Sequence, residues 1–302
     1  VEFLAPSSLA EALEAKAAHP DAVPICGGTD VMVELNFDRR RPDHLLDLTR
    51  VPELAEWSVG AHPSDPSGAS DASEFVRLGA SVTYARVIRE LSDRLPGLAL
   101  AARTVGSPQI RNRGTVGGNL GAASPAGDSH PPLLAGGAEV ELSSVRGTRL
   151  VPIDDFFTGP KQHAGAPDEL ITAVLSRATT GPQQFSKVGT RNAMVIAVTS
   201  LGLALHPDKG TVGVGIGSAA PTPVRASDAE GFLAAALDET GLWQSRNALP
   251  PSVATEFAVK VADAAAPIDD VRGTAAYRKH ALTVLARRTL TWAWDDYRGS
   301  AA

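Results

Sequence analysis

Along the first twenty residues the apolar positions recur at helical spacing: Leu9, Ala12, Leu13 and Ala17 fall on one face. Ser8 stands three residues before Glu11 as a capping box, so a helix is expected from there to about His19, where Pro20 stops it. The pattern then shortens. "AVPIC" is an apolar strand, Gly27 and Gly28 make a turn, "TDVMVELN" predicts a second helix and "HLLDL" another strand, together a small β/α lobe. A stretch rich in Ser, Pro, Gly and Asp from Gly60 to about Ser73 separates it from "FVRLGA", the strand that opens a second lobe. In that lobe residues 82–91 and 98–105 read as helices, and "AEVELSS", "TRLVPI" and "DELITAVLS" as strands. From about Gly181 the character changes again. "QQFSKVG", "VIAVTSLGLAL" and "TVGVGIGSA" suit an antiparallel sheet, followed by helical stretches of which the last, from about Thr274 to Asp295, is the longest. Helices and strands come in blocks without regular alternation, which predicts an α+β fold.

Composition narrows the class. With 43% hydrophobic and 21% charged residues, the 302-residue chain has enough apolar mass for a buried core, and its length suggests two or three lobes. No segment approaches the ~20 apolar residues of a membrane-spanning helix, and the start turns polar too early for a signal peptide, so a cytoplasmic location is expected. A net charge of -6 without a long basic run argues against a nucleic-acid partner. Arg39, Arg40 and Arg41 are read as a solvated turn or a subunit contact. Cys26 is the one cysteine, which excludes disulfides within the chain and any iron–sulfur cluster built by it alone. The seven histidines show no metal-ligand spacing.

Two stretches share one design: "ICGGTDV" (Ile25, Cys26, Gly27, Gly28, Thr29, Asp30, Val31) and "TVGGNL", which begins Thr115, Val116, Gly117, Gly118, Asn119. Adjacent glycines let a backbone come close to a ligand and turn successive N–H groups toward an anion, with Thr29, Thr115 and Asn119 as side-chain donors. Two such loops suit a dinucleotide, although either alone can be an ordinary turn. The second lies in an extended segment dense in Gly, Asn, Ser and Pro, a long loop of the kind that is commonly functional. Near its end Asp128 either caps the next helix or accepts a hydrogen bond from a ligand, and Ser124 carries the same ambiguity. Gly213, Gly215 and Gly217 imitate a nucleotide fingerprint, but Pro221 and Pro223 follow where a helix would have to open, so this run is read as a strand.

Taken in order, "GGTD", "IRNRGTVGGNLGAASPAGDSHP", "FFTGPK" with "PDELI", "FSKVGTRNAM", "APTPVRA" and "TAAYRKHALTVLARRTL" resemble the FAD-binding subunits of the xanthine dehydrogenase and carbon monoxide dehydrogenase family over nearly the whole chain. The resemblance implies a two-lobed FAD-binding domain of the vanillyl-alcohol-oxidase-like type over 1–178, with lobes of about 1–58 and 59–178. A small C-terminal domain over 179–302 would follow, with the flavin between the two parts. By position, residues 25–31 would wrap the FAD diphosphate and 115–119 would form the second loop against phosphate and flavin. Ser124 and Asp128 would lie close to the cofactor, Ile171 would pack near a ring system, and Lys187 would stand near the flavin as a cation; without the resemblance Lys187 reads as a solvated strand lysine. Phe185 would either stack on the flavin or belong to the core. Cys26 takes the place of a common alanine, and a thiol there is a candidate for oxidation. The stretch around Pro63 to Ala72 is longer than the usual connection and reads as a surface excursion.

What the resemblance implies functionally is a relay subunit with no catalytic acid or base of its own. A molybdenum-cofactor large subunit would hydroxylate the substrate, and an iron–sulfur small subunit with [2Fe-2S] clusters would deliver electrons to FAD in this chain. NAD+ or another acceptor would then receive them. "FFTGP" and "SPAGD" favour the xanthine dehydrogenase type. The alternatives are the flavoprotein subunit of carbon monoxide dehydrogenase or of another aldehyde or aromatic hydroxylase, a flavin-free assembly subunit, and a self-sufficient flavin oxidase.

Overall fold

The computed structural model describes residues 1–64 and 74–299. The chain divides into two compact units: Val1–Arg89 with Gly106–Ala123 and Ala138–Ala178, and Glu90–Val105 with Ser124–Gly137 and Thr179–Ala302. Residues 65–73 of the 60–73 connection, and with them most of the excursion expected around Pro63 to Ala72, lie outside the described residues.

In the first unit the helix Leu9–Ala18 starts where expected, with the Ser8 hydroxyl accepting from the Glu11 amide at 3.3 Å. The reciprocal arm of the capping box closes one residue early, because the Glu11 carboxylate takes the amide and hydroxyl of Ser7 at 2.7 and 2.8 Å. At the other end the buried Lys16 ammonium holds the carbonyls of Pro20 and Ala22 at 2.6 and 2.7 Å, tying the helix stop to the strand that follows. Ala12 packs against Leu46, Leu48, Val51, Leu54 and Leu170. Strand His44–Asp47 runs between Glu2–Leu4 and Val23–Ile25, parallel to both. A second sheet is antiparallel, in the order Trp57–Gly60, Phe75–Gly79, Leu170–Arg177, Glu139–Ser144, Gly147–Pro152. A bulge between Ile171 and Ala173 interrupts its central strand.

The segment expected to be extended and irregular contains two helices instead, Pro108–Arg113 and Val116–Ala122. Each is started by a hydroxyl cap. Ser107 accepts from the Ile110 amide at 3.3 Å with Pro108 at the first helical position, and Thr115 accepts from the Gly118 amide at 2.9 Å. Cap hydrogen bonds of this kind offset the cost of the glycines in so short a helix.

The second unit holds an antiparallel sheet in the order Gln183–Gly189, Ala197–His206, Thr211–Gly217, Val224–Arg225. Alternation sorts its two faces. Leu201, Leu203, Leu205, Val212, Val214 and Ile216 form one core with Leu233, Phe257, Leu290 and Trp294 from the helices Ser227–Glu239, Pro251–Asp263 and Ala275–Gly299. The other face is shaved flat. A Cβ on Gly213 would stand 1.9 Å from the Ala135 carbonyl oxygen, and one on Gly215 2.2 Å from that of Pro131. The alternate glycines let the helix His130–Ala135 rest its backbone on the strand, which is why the run imitates a fingerprint without being one. Helices thus cover antiparallel sheets in blocks, the expected α+β arrangement. No helix among the described residues is long and apolar enough to cross a membrane.

Candidate cofactor site

The residues singled out from the sequence fall into two groups, one in each unit. In the first unit, the turn after strand Val23–Ile25 lies directly on the backbone that leads into the helix Val116–Ala122. A Cβ on Gly27 would meet the Arg113 carbonyl oxygen at 1.9 Å, and one on Gly114 would stand 3.4 Å from the Thr29 hydroxyl. Gly28 has φ +74, a left-handed conformation that glycine adopts without strain. The two glycine-rich stretches are therefore neighbours within this unit. Ile171 joins them: its Cδ1 would lie 3.6 Å from a Cβ on Gly121.

The two stretches differ in what their amides do. Among the described residues, the amides of Gly27, Gly28, Thr29 and Asp30 have no protein acceptor, while the Ile25 carbonyl is held by the Leu48 amide at 2.9 Å. Asp30 occupies the N-cap position of the helix Val31–Asn36 but makes no side-chain cap bond to it. In the second stretch the amides of Gly117, Gly118 and Asn119 are spent inside the chain. Gly117 donates to the Ala80 carbonyl at 3.2 Å, Gly118 to the Thr115 hydroxyl and Asn119 to the Thr115 carbonyl at 3.1 Å. Gly117 is buried because a Cβ there would stand 2.5 Å from that of Ala80, whereas Gly118 is exposed and a Cβ would touch only the Thr115 Oγ1, at 3.0 Å. "TVGGNL" is the capped first turn of a helix and not a loop.

Cys26 sits at the join, its sulfur accepting from the Ser81 hydroxyl at 3.4 Å. Burial pushes its thiol above the usual range, against the pull of hydrogen bonds from Ser81 and Thr115. Thiolate is therefore disfavoured at this position in the folded chain.

In the second unit Asp128 and Lys187 form a buried ion pair, Nζ to Oδ2 at 2.6 Å, with side chains 9% and 8% exposed. The Thr104 hydroxyl donates to the same oxygen at 3.0 Å, and Lys187 also holds the carbonyls of Thr104 and Val195 at 3.3 and 3.1 Å. Burial pushes the Asp128 carboxyl above the ordinary carboxylate range, against the opposing pull of the Lys187 ammonium. Its other oxygen, Oδ1, is buried and without a hydrogen-bond partner among the described residues.

Three sequence readings change here. Asp128 does not cap the following helix, whose N-cap is Ser129. Ser124 is no cap either, since its hydroxyl and carbonyl accept from the amides of Ala126 and Gly127 at 3.3 and 3.0 Å and close a turn. Lys187 is a buried, fully bonded cation and not a solvated strand lysine. Phe185 is buried in its strand. Thr104, which closes the ion pair from the end of the helix Pro96–Thr104, carries no sequence signal; only the fold brings it to Asp128.

Each group by itself suits one part of a flavin dinucleotide. Unused amides of a glycine turn are donors for a diphosphate, and an unsatisfied carboxylate oxygen is an acceptor for a ring N–H. Similarity to known families defines the class, a flavoprotein subunit of the molybdenum hydroxylases. Residues 1–175 match the family described as the FAD binding domain in molybdopterin dehydrogenase, and the chain belongs to that family. Residues 184–293 match the carbon monoxide dehydrogenase flavoprotein C-terminal domain. A putative xanthine dehydrogenase FAD-binding subunit of Escherichia coli is 33% identical over 233 residues, 74% of this chain and 76% of the relative. The nicotine 6-hydroxylase medium subunit of Paenarthrobacter nicotinovorans is 29% identical over 297 residues, 96% of each chain. Among solved structures, the carbon monoxide dehydrogenase of Hydrogenophaga pseudoflava that lacks the Mo-pyranopterin moiety superposes with a TM-score of 0.82 at 26% identity, covering 98% of both chains.

Proposed function

We propose that this FAD-binding subunit is the electron outlet of a xanthine dehydrogenase. Electrons arrive from an iron–sulfur small subunit after a molybdenum-cofactor large subunit has oxidised a purine, and leave to NAD+. FAD, when bound, supplies the chemistry of accepting electrons singly and releasing them in pairs. The observation that carries the reading is the turn 27–30, four successive residues whose amides have no protein acceptor among the described residues. Residues 25–31 would hold the diphosphate, with 115–119 shaping its far side chiefly by packing. Ile171 would supply an apolar wall. In the second unit Ser124 would fix the turn that carries Asp128. The Asp128 Oδ1 would accept from the ring, and Lys187 would hold that carboxylate in place.

The purine assignment rests on the Escherichia coli relative. A second reading, oxidation of a nitrogen heterocycle with another acceptor, is favoured by the nearly full-length match to the nicotine hydroxylase subunit. The test is to purify the chain with its partner subunits and assay xanthine, nicotine-type heterocycles and carbon monoxide, each with NAD+ and with an artificial dye. Purine-dependent reduction of NAD+ is expected. Bleaching of the flavin by a heterocycle or carbon monoxide, with purines inert, overturns the purine assignment.

A further inference from the structure

We propose that Arg278, in the first turns of the helix Ala275–Gly299, is a positioning residue that sets the Asp128 carboxylate; the inference rests on the reading above that this carboxylate meets the flavin. The guanidinium is 3% exposed. Its Nη1 donates to the carbonyls of Val198 and Ser218 at 2.6 and 2.7 Å, and its Nη2 to Asp270. Ser218 is held in an uncommon conformation for a residue with a side chain, φ +60, with its hydroxyl on the Ala197 carbonyl at 2.7 Å. That posture aims its amide at the Pro125 carbonyl, 2.8 Å away. Beside the local bond from the His130 amide to the Gly127 carbonyl at 3.3 Å, it ties the turn 124–127 to a residue far away in the sequence, and Asp128 is the next residue after the turn.

The same guanidinium grips the other side of the ion pair. Lys187 is anchored on the Val195 carbonyl, and three residues further on the Val198 carbonyl is held by Arg278. One planar cation therefore fixes both the strand start that steadies Lys187 and the residue that steadies the turn before Asp128. Lysine would replace it only in part: an ammonium is a point charge, whereas the guanidinium fork reaches two carbonyls and a carboxylate at once. The motif "TAAYRKH" thereby acquires a role at a distance from its own helix.

The test uses the complex loaded with FAD and four variants: Arg278→Gln, Arg278→Lys, Asp128→Asn, and Leu233→Ala as a core control in the same unit. Two quantities are read, hydrogen exchange of the peptide 124–130 and the midpoint potential of the bound flavin. Arg278→Gln is expected to raise exchange in that peptide at least tenfold and to move the potential in the direction that Asp128→Asn moves it, with Arg278→Lys between. Leu233→Ala lowers the melting temperature and leaves both readings at wild type. Unchanged exchange in Arg278→Gln overturns the proposal, as does a wild-type potential in that variant when Asp128→Asn has shifted it. A potential indifferent to Asp128→Asn removes the flavin reading of that carboxylate, and exchange alone then decides whether Arg278 sets it. Should Arg278→Gln not fold, Asp270→Asn, which keeps the guanidinium and removes its anion, is read the same way.

Discussion

Removing the Lys187 ammonium is the sharpest perturbation the structure offers. At an effective dielectric constant of about 20, unit charges 2.6 Å apart attract by about 6 kcal/mol, a gain that desolvation of both groups largely offsets. Deleting one partner is different, because it strands the other. Lys187→Met should therefore cost about 3–5 kcal/mol, since a buried carboxylate with one oxygen already unbonded would keep only the Thr104 hydroxyl. Asp128→Asn should cost less, about 1.5–3 kcal/mol, because the ammonium retains the carbonyls of Thr104 and Val195. The double variant should recover part of the loss, giving a coupling of about 2 kcal/mol. Urea unfolding followed by tryptophan fluorescence suits the measurement, since Trp243, Trp292 and Trp294 all lie in the unit that holds the pair.

The pH dependence has a definite sign. A carboxyl whose folded pKa is raised keeps a proton that the unfolded chain has released, so stability falls as pH climbs from the ordinary carboxylate range through the folded value. Lys187→Met raises that value further, so its cost should be larger at pH 7.5 than at pH 5. Additive single effects, or a Lys187→Met loss below about 1 kcal/mol, would falsify the claim that the pair is shielded from water.

Gly27→Ala places a methyl 1.9 Å from the Arg113 carbonyl oxygen and must push backbone aside, so a loss of at least about 1–3 kcal/mol and of bound FAD is expected; a wild-type melting temperature with full flavin content refutes the packing argument. Gly118→Val disturbs only the cap bond to Thr115, worth about 1 kcal/mol, and so tests cofactor contact cleanly by its absorbance ratio. Gly117→Val cannot serve, because it collides with Ala80 and would lose flavin through misfolding. Cys26 should react with a thiol reagent at pH 7.5 at least tenfold more slowly than a small free thiol and catch up in urea; equal rates in the folded protein would mean the thiol is not shielded as described.

Much of the secondary structure was legible because its signals are local. The helix Leu9–Ala18, the strand Leu170–Arg177 and the three long strands from Gln183 each follow an apolar period that the fold then uses. The helices Pro108–Arg113 and Val116–Ala122 were missed because Gly, Asn and Pro outweighed their caps, although Ser107 before Pro108 is a start signal in plain view. Ambiguity persisted where a role depends on a distant partner. Nothing near Asp128 in the sequence says that it faces Lys187 and not a helix end, and nothing near Thr104 says that it faces either. The glycines show the same limit: those at 27, 117, 213 and 215 all make room, but only coordinates tell which make room for another part of the chain and which leave amides free.

The thread of the chain enters the second unit three times, and this constrains how the protein can be made. The helices Pro96–Thr104 and His130–Ala135 leave the ribosome before the sheet they cover has been synthesised, so each must wait as an unpaired apolar segment. Cutting the gene after residue 178 would therefore strip the downstream product of two of its own walls and hand them to the upstream one. Split versions of this protein should therefore keep residues 90–105 and 124–137 on the same piece as the sheet they cover.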